Sequence, residues 1–150
     1  MLTAKEIMTT EVVSVTPDMP VEKLAALLYE RKIGGAPVME GGKLLGVVTE
    51  NDLIDQAKNL HIPTVINILD AVLVLGNPNK MNHEFQKMAG RTVRDIFSKQ
   101  IVTVSEDTPL NEMATLMAEK RVHTLPVVSG GKLVGVVGKS DLIRAISMGD

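Results

Sequence analysis

Two nearly identical stretches, Gly41-Gly42-Lys43-Leu44-Leu45-Gly46-Val47-Val48 and Gly130-Gly131-Lys132-Leu133-Val134-Gly135-Val136-Val137, occur 89 residues apart in this chain. Around them, residues 3–54 and 92–143 align without a gap and agree at 21 of 52 positions. Two similar units in one chain usually stack about a pseudo-two-fold axis, because each covers the apolar face that the other cannot bury alone. We therefore expect two related clefts at the seam between the units.

Each unit is predicted to fold as strand, helix, strand, strand and helix. The β-branched runs Val12–Val15 and Ile101–Val104 favour short first strands, and apolar residues at helical spacing follow each run. Each glycine pair fits a tight hairpin, because glycine tolerates positive φ. We expect the last helices to begin near Asp52 and Asp141. The predicted class is α+β, with a small mixed sheet in each unit and helices packed on it.

The chain divides into a first repeat over residues 1–54, an insert over residues 55–91 and a second repeat over residues 92–150. The insert has no counterpart elsewhere in the sequence, and we expect it to be partly helical over Ile62–Leu75 and Met81–Ala89. It is too apolar for a flexible linker, so it is expected to pack on the repeats or to extend a dimer contact. A docking arm for a partner is the alternative.

Composition excludes several classes of function. The chain of 150 residues has a net charge of −2 and no segment with the basic excess that binding to a nucleic-acid backbone needs. It has no cysteine, and its N-terminus lacks the basic and apolar runs of a signal peptide. No apolar run is long enough to span a bilayer. We expect a cytoplasmic protein with no membrane or nucleic-acid partner.

No arrangement of catalytic or metal-binding groups stands out, so we expect neither an enzyme nor a metal site. The recurring polar segment is Thr49-x-x-Asp52, with Gly138-x-x-Asp141 as its counterpart. One interpretation is a capping box, in which the hydroxyl and the carboxylate satisfy free amides at a helix start. The other is a ligand site, because such a carboxylate can accept two hydrogen bonds from a ribose diol while the helix start favours a phosphate. Capping is the commoner use of this pattern.

As a whole, the chain resembles a free-standing tandem pair of CBS domains, the cystathionine-β-synthase-type repeats that form a Bateman module. No single motif is specific, but their order is repeated twice at fixed spacing. The carriers are Val15-Thr16-Pro17-Asp18-x-Pro20 and Val104-Ser105-Glu106-Asp107-x-Pro109, Ala36-Pro37-Val38 and Leu125-Pro126-Val127, and the segments Gly46–Asp52 and Gly135–Asp141.

The resemblance implies regulation rather than turnover. Members of this family commonly bind AMP, ADP, ATP or S-adenosylmethionine in clefts between the repeats, and two modules often form a disc-shaped homodimer. Each cleft is built by both repeats: the aspartate holds the ribose, a Thr or Ser lies near ribose or phosphate, and apolar residues and backbone groups grip the adenine. No catalytic cofactor is implied.

Carried over to this chain, the resemblance implies two unequal clefts. One combines Thr49 and Asp52 with Ile101 and Val102, which contact the adenine base, and with Arg121 and His123 near the phosphates. Thr124, next to His123, also belongs to this cleft. The other combines Asp141 with Val12, Val13 and Gly34-Gly35. The second departs from the family pattern, because Gly138 replaces the hydroxyl residue and glycines replace His123-Thr124. We expect stronger nucleotide binding at the Asp52 cleft.

The prediction is therefore a module that senses an adenine nucleotide, as in energy sensing, and signals to an effector protein or to its own oligomer. We also expect a homodimer, because a monomer would leave apolar helix faces uncovered. One rival is a docking or structural module without ligand affinity. A second rival is a nucleotide hydrolase that uses Asp52 as a base, which no metal cluster or second carboxylate supports.

Overall fold

A computed structural model describes residues 1–58 and 91–149 of the chain. The predicted helices of the insert lie outside the described residues, although residues 55–58 continue the last helix of the first repeat. The α+β class is confirmed. In chain order the elements are α1 (Ala4–Ile7), α2 (Val21–Arg31), β1 (Gly35–Glu40), β2 (Lys43–Thr49), α3 (Glu50–Lys58), α4 (Val93–Ile96), α5 (Leu110–Lys120), β3 (Thr124–Ser129), β4 (Lys132–Gly138) and α6 (Lys139–Ser147).

Each repeat is centred on an antiparallel hairpin, β1 with β2 and β3 with β4. Gly41 and Gly42 have φ values of +57° and +78°, and Gly130 and Gly131 have values of +58° and +77°. Two consecutive residues with positive φ match the twist of a two-residue hairpin turn, and glycine adopts this conformation without steric cost. The predicted hairpins are confirmed in both repeats.

The predicted first strands are wrong in extent, because only their last residues pair. Val15 forms a parallel bridge with Val38, and Val104 forms the equivalent bridge with Val127. The next bond toward the N-terminus would require a backbone N–H on the residue before Val38, which is Pro37. Proline has no N–H to donate, so the parallel ladder stops after one bridge. Pro126 ends the second ladder in the same way.

The helices α2 and α5 cover one face of each hairpin with the predicted apolar stripes. Leu24 and Met113, at equivalent positions, are fully buried. Both helices end in a left-handed residue, Lys32 with φ of 54° and Arg121 with φ of 55°. This conformation is unfavourable for a residue with a Cβ and is usually taken by glycine at a helix end. The two cations therefore stand at strained positions of the backbone.

The two repeats exchange their leading segments. Ala4 and Ile7 of α1 belong to the buried core of the second repeat, whereas Val93 of α4 belongs to the core of the first. The contacts are reciprocal: Thr9 pairs with Val136, and Ser98 pairs with Val47. Reciprocal contacts at the 89-residue offset are those of a pseudo-two-fold relation. Neither core is complete without the other repeat.

Two glycines make the exchange possible. A Cβ on Gly46 would overlap the carbonyl oxygen of Ser98, and a Cβ on Gly135 would overlap Sδ of Met8. Each exchanged segment thus runs directly across the backbone of a hairpin strand, and only a residue without a side chain leaves room for it. The repeats are held side by side by this close approach.

Candidate functional site: the cleft between the repeats

A cleft of about 1050 Å³ lies between the repeats and is lined by both of them. Its volume is slightly above the usual range of small-molecule sites, about 300–1,000 Å³. Ile101 does not line the cleft, and 41% of its surface is exposed. The other residues named from the sequence all do: Val12, Val13, Gly34, Thr49, Asp52, Val102, Arg121, His123, Thr124 and Asp141.

The start of α3 places Asp52 in the cleft wall. Its Oδ2 accepts a hydrogen bond from the backbone N–H of Thr49 at 2.8 Å and one from the Thr49 hydroxyl at 3.3 Å. The carboxylate half of the predicted capping box is therefore present, while the hydroxyl donates to the carboxylate instead of capping a backbone amide. The helix also begins earlier than predicted, at Glu50, which leaves Asp52 in its first turn.

The two oxygens of Asp52 differ in their partners. No described residue donates a hydrogen bond to its Oδ1. Burial of the carboxyl group raises the pKa of Asp52 above its usual value of 3.8; the hydrogen bonds from Thr49 oppose this rise, and the negative charge of Asp55 adds to it. A carboxylate disfavoured in this way gains from any donor that a ligand brings to it.

The start of α6 places Asp141 at the equivalent position in a different environment. Its Oδ2 accepts the backbone N–H of Gly138 at 2.9 Å, and the Thr9 hydroxyl lies 3.2 Å from Oδ1 and 3.3 Å from Oδ2. The Arg144 guanidinium donates to Oδ1 at 3.1 Å. Asp141 is buried, and both of its oxygens already have partners within the protein.

Sequence reasoning missed Thr9 and Arg144 as partners of Asp141. Thr9 is 132 residues away along the chain, so no local motif connects them. The alignment of the repeats carries a signal when it is extended by one residue into the segment first assigned to the insert, because Arg144 then aligns with Asp55 at the 89-residue offset. A cation three residues after one aspartate and an anion three residues after the other indicate different roles for the two carboxylates.

The exchanged segments lead into the cleft beside these aspartates. Ser98 exchanges two backbone hydrogen bonds with Val47, at 3.1 and 3.3 Å, two residues before Thr49. The chain then continues to Val102, which lines the cleft. In the same way Thr9 pairs with Val136 and binds Asp141 before the chain reaches Val12 and Val13, residues of the cleft wall.

The strands β1 and β3 meet at Gly35. A Cβ there would lie 2.7 Å from the Thr124 hydroxyl and 3.0 Å from Cγ2 of Thr49. The side chains of Thr49 and Thr124, from different repeats, are therefore neighbours across this glycine. Within residues 1–58 and 91–149, no group of three or more His, Cys, Asp or Glu side chains is placed to hold a metal ion. The same residues include no helix long and apolar enough to cross a bilayer.

Comparison with known proteins places both repeats in one family. The model of the CBS domain matches the chain twice, over residues 4–59 and 93–148. The uncharacterized protein MJ1426 of Methanocaldococcus jannaschii is 36% identical over 151 residues, which cover 95% of this chain and 89% of that protein. The zinc metalloprotease MJ0392 of the same organism is 34% identical over 97% of this chain, but the chain spans only 32% of its length.

Solved structures share the fold. CBSX2, a CBS-pair protein of Arabidopsis thaliana, is 26% identical in its crystal structure in complex with AMP. The two chains superpose with a TM-score of 0.71, and the match covers 99% of this chain and 98% of the other. Both repeats and their relative arrangement are therefore shared with a protein that binds AMP.

Proposed function

We propose a function from the premise that this chain belongs to the CBS-domain family, as a tandem pair of its repeats: it is a regulatory module that binds an adenosine-containing nucleotide in the cleft between the repeats. The observation that carries the proposal is the Asp52 carboxylate. It is half-buried at a helix start, faces a cleft built by both repeats and has one oxygen without a partner among the described residues. Such a carboxylate suits a ribose diol. The AMP complex of CBSX2 supports the choice of ligand.

In this proposal the Asp52 half of the cleft is the main site. Asp52 accepts hydrogen bonds from the ribose hydroxyls, and Thr49 lies beside them. Val102 provides apolar contact for the adenine base. Thr124, His123 and Arg121 lie on the phosphate side. The proposal is supported by the position of Thr124 next to Thr49 across Gly35.

The Asp141 half, with Val12, Val13 and Gly34, is proposed as the weaker site. A ribose there would have to displace Thr9 or Arg144 from the Asp141 carboxylate. Displacing partners that already satisfy a buried carboxylate costs roughly what a new hydrogen bond gains. We therefore propose one strong nucleotide site per chain, with AMP, ADP, ATP and S-adenosylmethionine as candidate ligands.

Signalling would follow from the way the cleft is built. A ligand that contacts both repeats at once changes the balance between two arrangements of the repeats only if it binds one of them better. The interlocked segments tie the repeats together, so a shift in the cleft would be carried to the outer helices. We propose that an effector protein or a second copy of the chain reads this shift.

A second copy can read this shift because apolar side chains remain exposed outside the cleft. Ile54 of α3 and Ile146 of α6, neither of which lines the cleft, are 64% and 57% exposed. Exposed apolar residues on helix faces are typical of an interface. We propose a homodimer through these helices; light scattering tests it, and a monomer at tens of micromolar, about the usual working range, would contradict it.

A thermal-shift panel tests nucleotide binding. We expect AMP, ADP, ATP or S-adenosylmethionine, present at 100 times its dissociation constant, to stabilise the protein by about 2.7 kcal/mol. The matched control is Asp52→Ala, in which the same ligand should give a much smaller shift. The absence of any shift with all four ligands would contradict the proposal and favour a docking module without ligand affinity. Turnover of excess nucleotide would instead favour the hydrolase.

A further inference from the structure

The first residues of α3 and α6 carry opposite charges at equivalent positions. Glu50 begins α3 and Lys139 begins α6, and both side chains line the cleft. Glu50 lies over Gly34: its carboxylate carbon and one oxygen are each 3.8 Å from the position of a Cβ on that glycine. The counterpart of Gly34 in the second repeat is His123. In the first repeat, the carboxylate of Glu50 thus lies over a glycine. In the second repeat, the position of that glycine is taken by the imidazole side chain of His123.

The surroundings strengthen the contrast between these two corners of the cleft. Lys120 and Arg121, three and two residues before His123, also line the cleft, and the backbone N–H of Lys139 donates to the carbonyl of His123 at 3.0 Å. This part of the cleft thus has three positively charged residues beside His123, and Asp141 is the acidic residue of α6 that also lines the cleft. We name this part of the cleft the basic corner, made of Lys120, Arg121, His123 and Lys139.

The equivalent corner of the first repeat is acidic. Glu30 and Glu50 line it together with a single cation, Lys32. We name it the acidic corner, made of Glu30, Lys32, Gly34 and Glu50. Both corners have a cation in the left-handed backbone conformation, Lys32 and Arg121, so the backbone conformation at this position is the same in the two repeats. The difference lies in the residues that surround this cation.

We propose that Lys139 is a phosphate-binding residue and that Glu50 excludes phosphate from the equivalent place in the first repeat. The proposal rests on the nucleotide binding proposed above and adds where the anion lies and why only one corner takes it. A phosphate in the basic corner meets ammonium and guanidinium groups that donate charge-assisted hydrogen bonds. In the acidic corner it meets a carboxylate with no proton to donate. The Asp141 half, which would use the acidic corner, also has its ribose-binding carboxylate engaged.

The energies involved are moderate because these side chains are exposed to solvent. Like and unlike charges within a Debye length, about 8 Å at physiological ionic strength, still interact measurably. We therefore expect changes of about tenfold in affinity for a reversal of charge, the factor that corresponds to about 1.4 kcal/mol. The effect should be confined to ligands with a phosphate.

Calorimetric titration of AMP and of adenosine into the full chain tests Lys139. In Lys139→Glu, the affinity for AMP should fall about tenfold or more while the affinity for adenosine stays within about twofold. A glutamate at a helix start is compatible with folding, because the helix dipole favours it. Lys43→Glu is the control, with the same charge change at the exposed start of β2, outside the cleft. Equal losses for both ligands, or no loss for AMP, would overturn the role of Lys139.

Glu50→Lys tests exclusion in the opposite direction. The unaltered chain should bind one AMP, and the variant should bind a second, weaker AMP equivalent that adenosine does not reproduce. Glu22→Lys, an exposed position in the first turn of α2 outside the cleft, is the control and should bind one AMP. A stoichiometry that stays at one in Glu50→Lys would assign the exclusion to the engaged Asp141 carboxylate alone and would overturn the role of Glu50. A second AMP bound with similar affinity in the unaltered chain would overturn it as well. If the unaltered chain binds none of AMP, ADP, ATP, S-adenosylmethionine and adenosine, the proposed function itself fails.

Discussion

The starts of α3 and α6 share one hydrogen-bond arrangement, but the side chains around their aspartates, Asp52 and Asp141, differ. In both, a carboxylate oxygen accepts the backbone N–H of the residue three positions earlier, at 2.8 Å for Asp52 and 2.9 Å for Asp141. The second oxygen of Asp141 accepts from Thr9 and Arg144, whereas that of Asp52 has no partner among the described residues. The capping role is common to both repeats, and the remaining hydrogen-bonding capacity is used differently.

In the proposed function, this difference separates a structural carboxylate, Asp141, from one that binds a ligand, Asp52. Arg144 donates to Asp141 and also, at 3.5 Å, to the carbonyl of Ile7, so the network fastens α1 to α6. In the first repeat, Asp55 at the position equivalent to Arg144 contributes repulsion to Asp52 instead. We therefore propose that the duplicated motif serves assembly in the second repeat and ligand binding in the first.

Substitution of the two close-approach glycines should give the largest difference between the repeats. A Cβ on Gly46 would overlap a backbone oxygen, that of Ser98, which cannot move without breaking its pairing with Val47. A Cβ on Gly135 would mainly displace the flexible end of Met8. We expect Gly46→Ala to lower the free energy of unfolding by about 3 kcal/mol and Gly135→Ala by about 1 kcal/mol. Urea denaturation measures both, and equal losses would contradict the difference between the two crossings.

Removal of the side-chain hydroxyls of Thr9 and Ser98, which lie in the exchanged segments, should have a smaller effect on the free energy of unfolding. Thr9→Val deletes the hydrogen bond to Asp141 without changing the shape of the side chain, and we expect a loss of about 1 kcal/mol in the free energy of unfolding, because the partner is charged but the site is partly exposed. Ser98 is the equivalent residue, but within residues 1–58 and 91–149 its hydroxyl accepts a hydrogen bond only from the backbone N–H of Gln100, at 3.3 Å. Ser98→Ala should therefore change stability by less than about 0.5 kcal/mol. A loss for Ser98→Ala as large as that for Thr9→Val would show that Ser98 supports Asp52 after all.

The smallest expected effect is a pH dependence that belongs to Asp52. Its folded-state pKa is raised by burial, so its contribution to stability is greatest below the usual value of 3.8 and is lost as the pH rises through the folded-state pKa. Ligand hydroxyls donate to the ionised form, so affinity should change with the opposite sign and increase over the same range. Adenosine is the appropriate ligand because it has no phosphate to titrate.

Adenosine affinity measured between about pH 4 and pH 7 should therefore rise a few-fold in the unaltered chain. Asp52→Asn is the matched control, because it keeps a side chain of the same shape but does not titrate, and its affinity should be low and nearly constant. A rise of the same size in Asp52→Asn would assign the pH dependence to another group.

Local features of the fold were predictable from the sequence, and features that depend on pairing were not. The Gly41-Gly42 hairpin follows from backbone conformations that glycine permits, so two residues suffice to predict it. The predicted first strands were too long, because their length depends on which residue faces Pro37. The pairing register is a property of two segments together and cannot be predicted from one of them. The exchange of α1 and α4 between the cores was also beyond local patterns, since Val93 fits either core by hydrophobicity.

In the candidate site, too, local contacts were predictable from the sequence and long-range contacts were not. Thr49 and Asp52 were predicted as neighbours because they are three residues apart on one helix start. The contact of Thr9 with Asp141 requires the exchanged segment and could not be predicted locally. The opposite charges of Asp55 and Arg144 were visible in the repeat alignment, and they indicate which aspartate is neutralised within the protein.

The central claim is that the Asp52 half of the cleft binds an adenosine nucleotide and that Asp141 serves assembly. Calorimetric titration of AMP into Asp52→Ala and Asp141→Ala, with unfolding of both variants measured in parallel, tests it most directly. We predict that Asp52→Ala weakens AMP binding by about 1.5–3 kcal/mol and stability by only about 1 kcal/mol, the value of a lost cap. Asp141→Ala should show the reverse order, with the larger loss in stability. A larger loss of AMP binding in Asp141→Ala than in Asp52→Ala would contradict the assignment of the two halves.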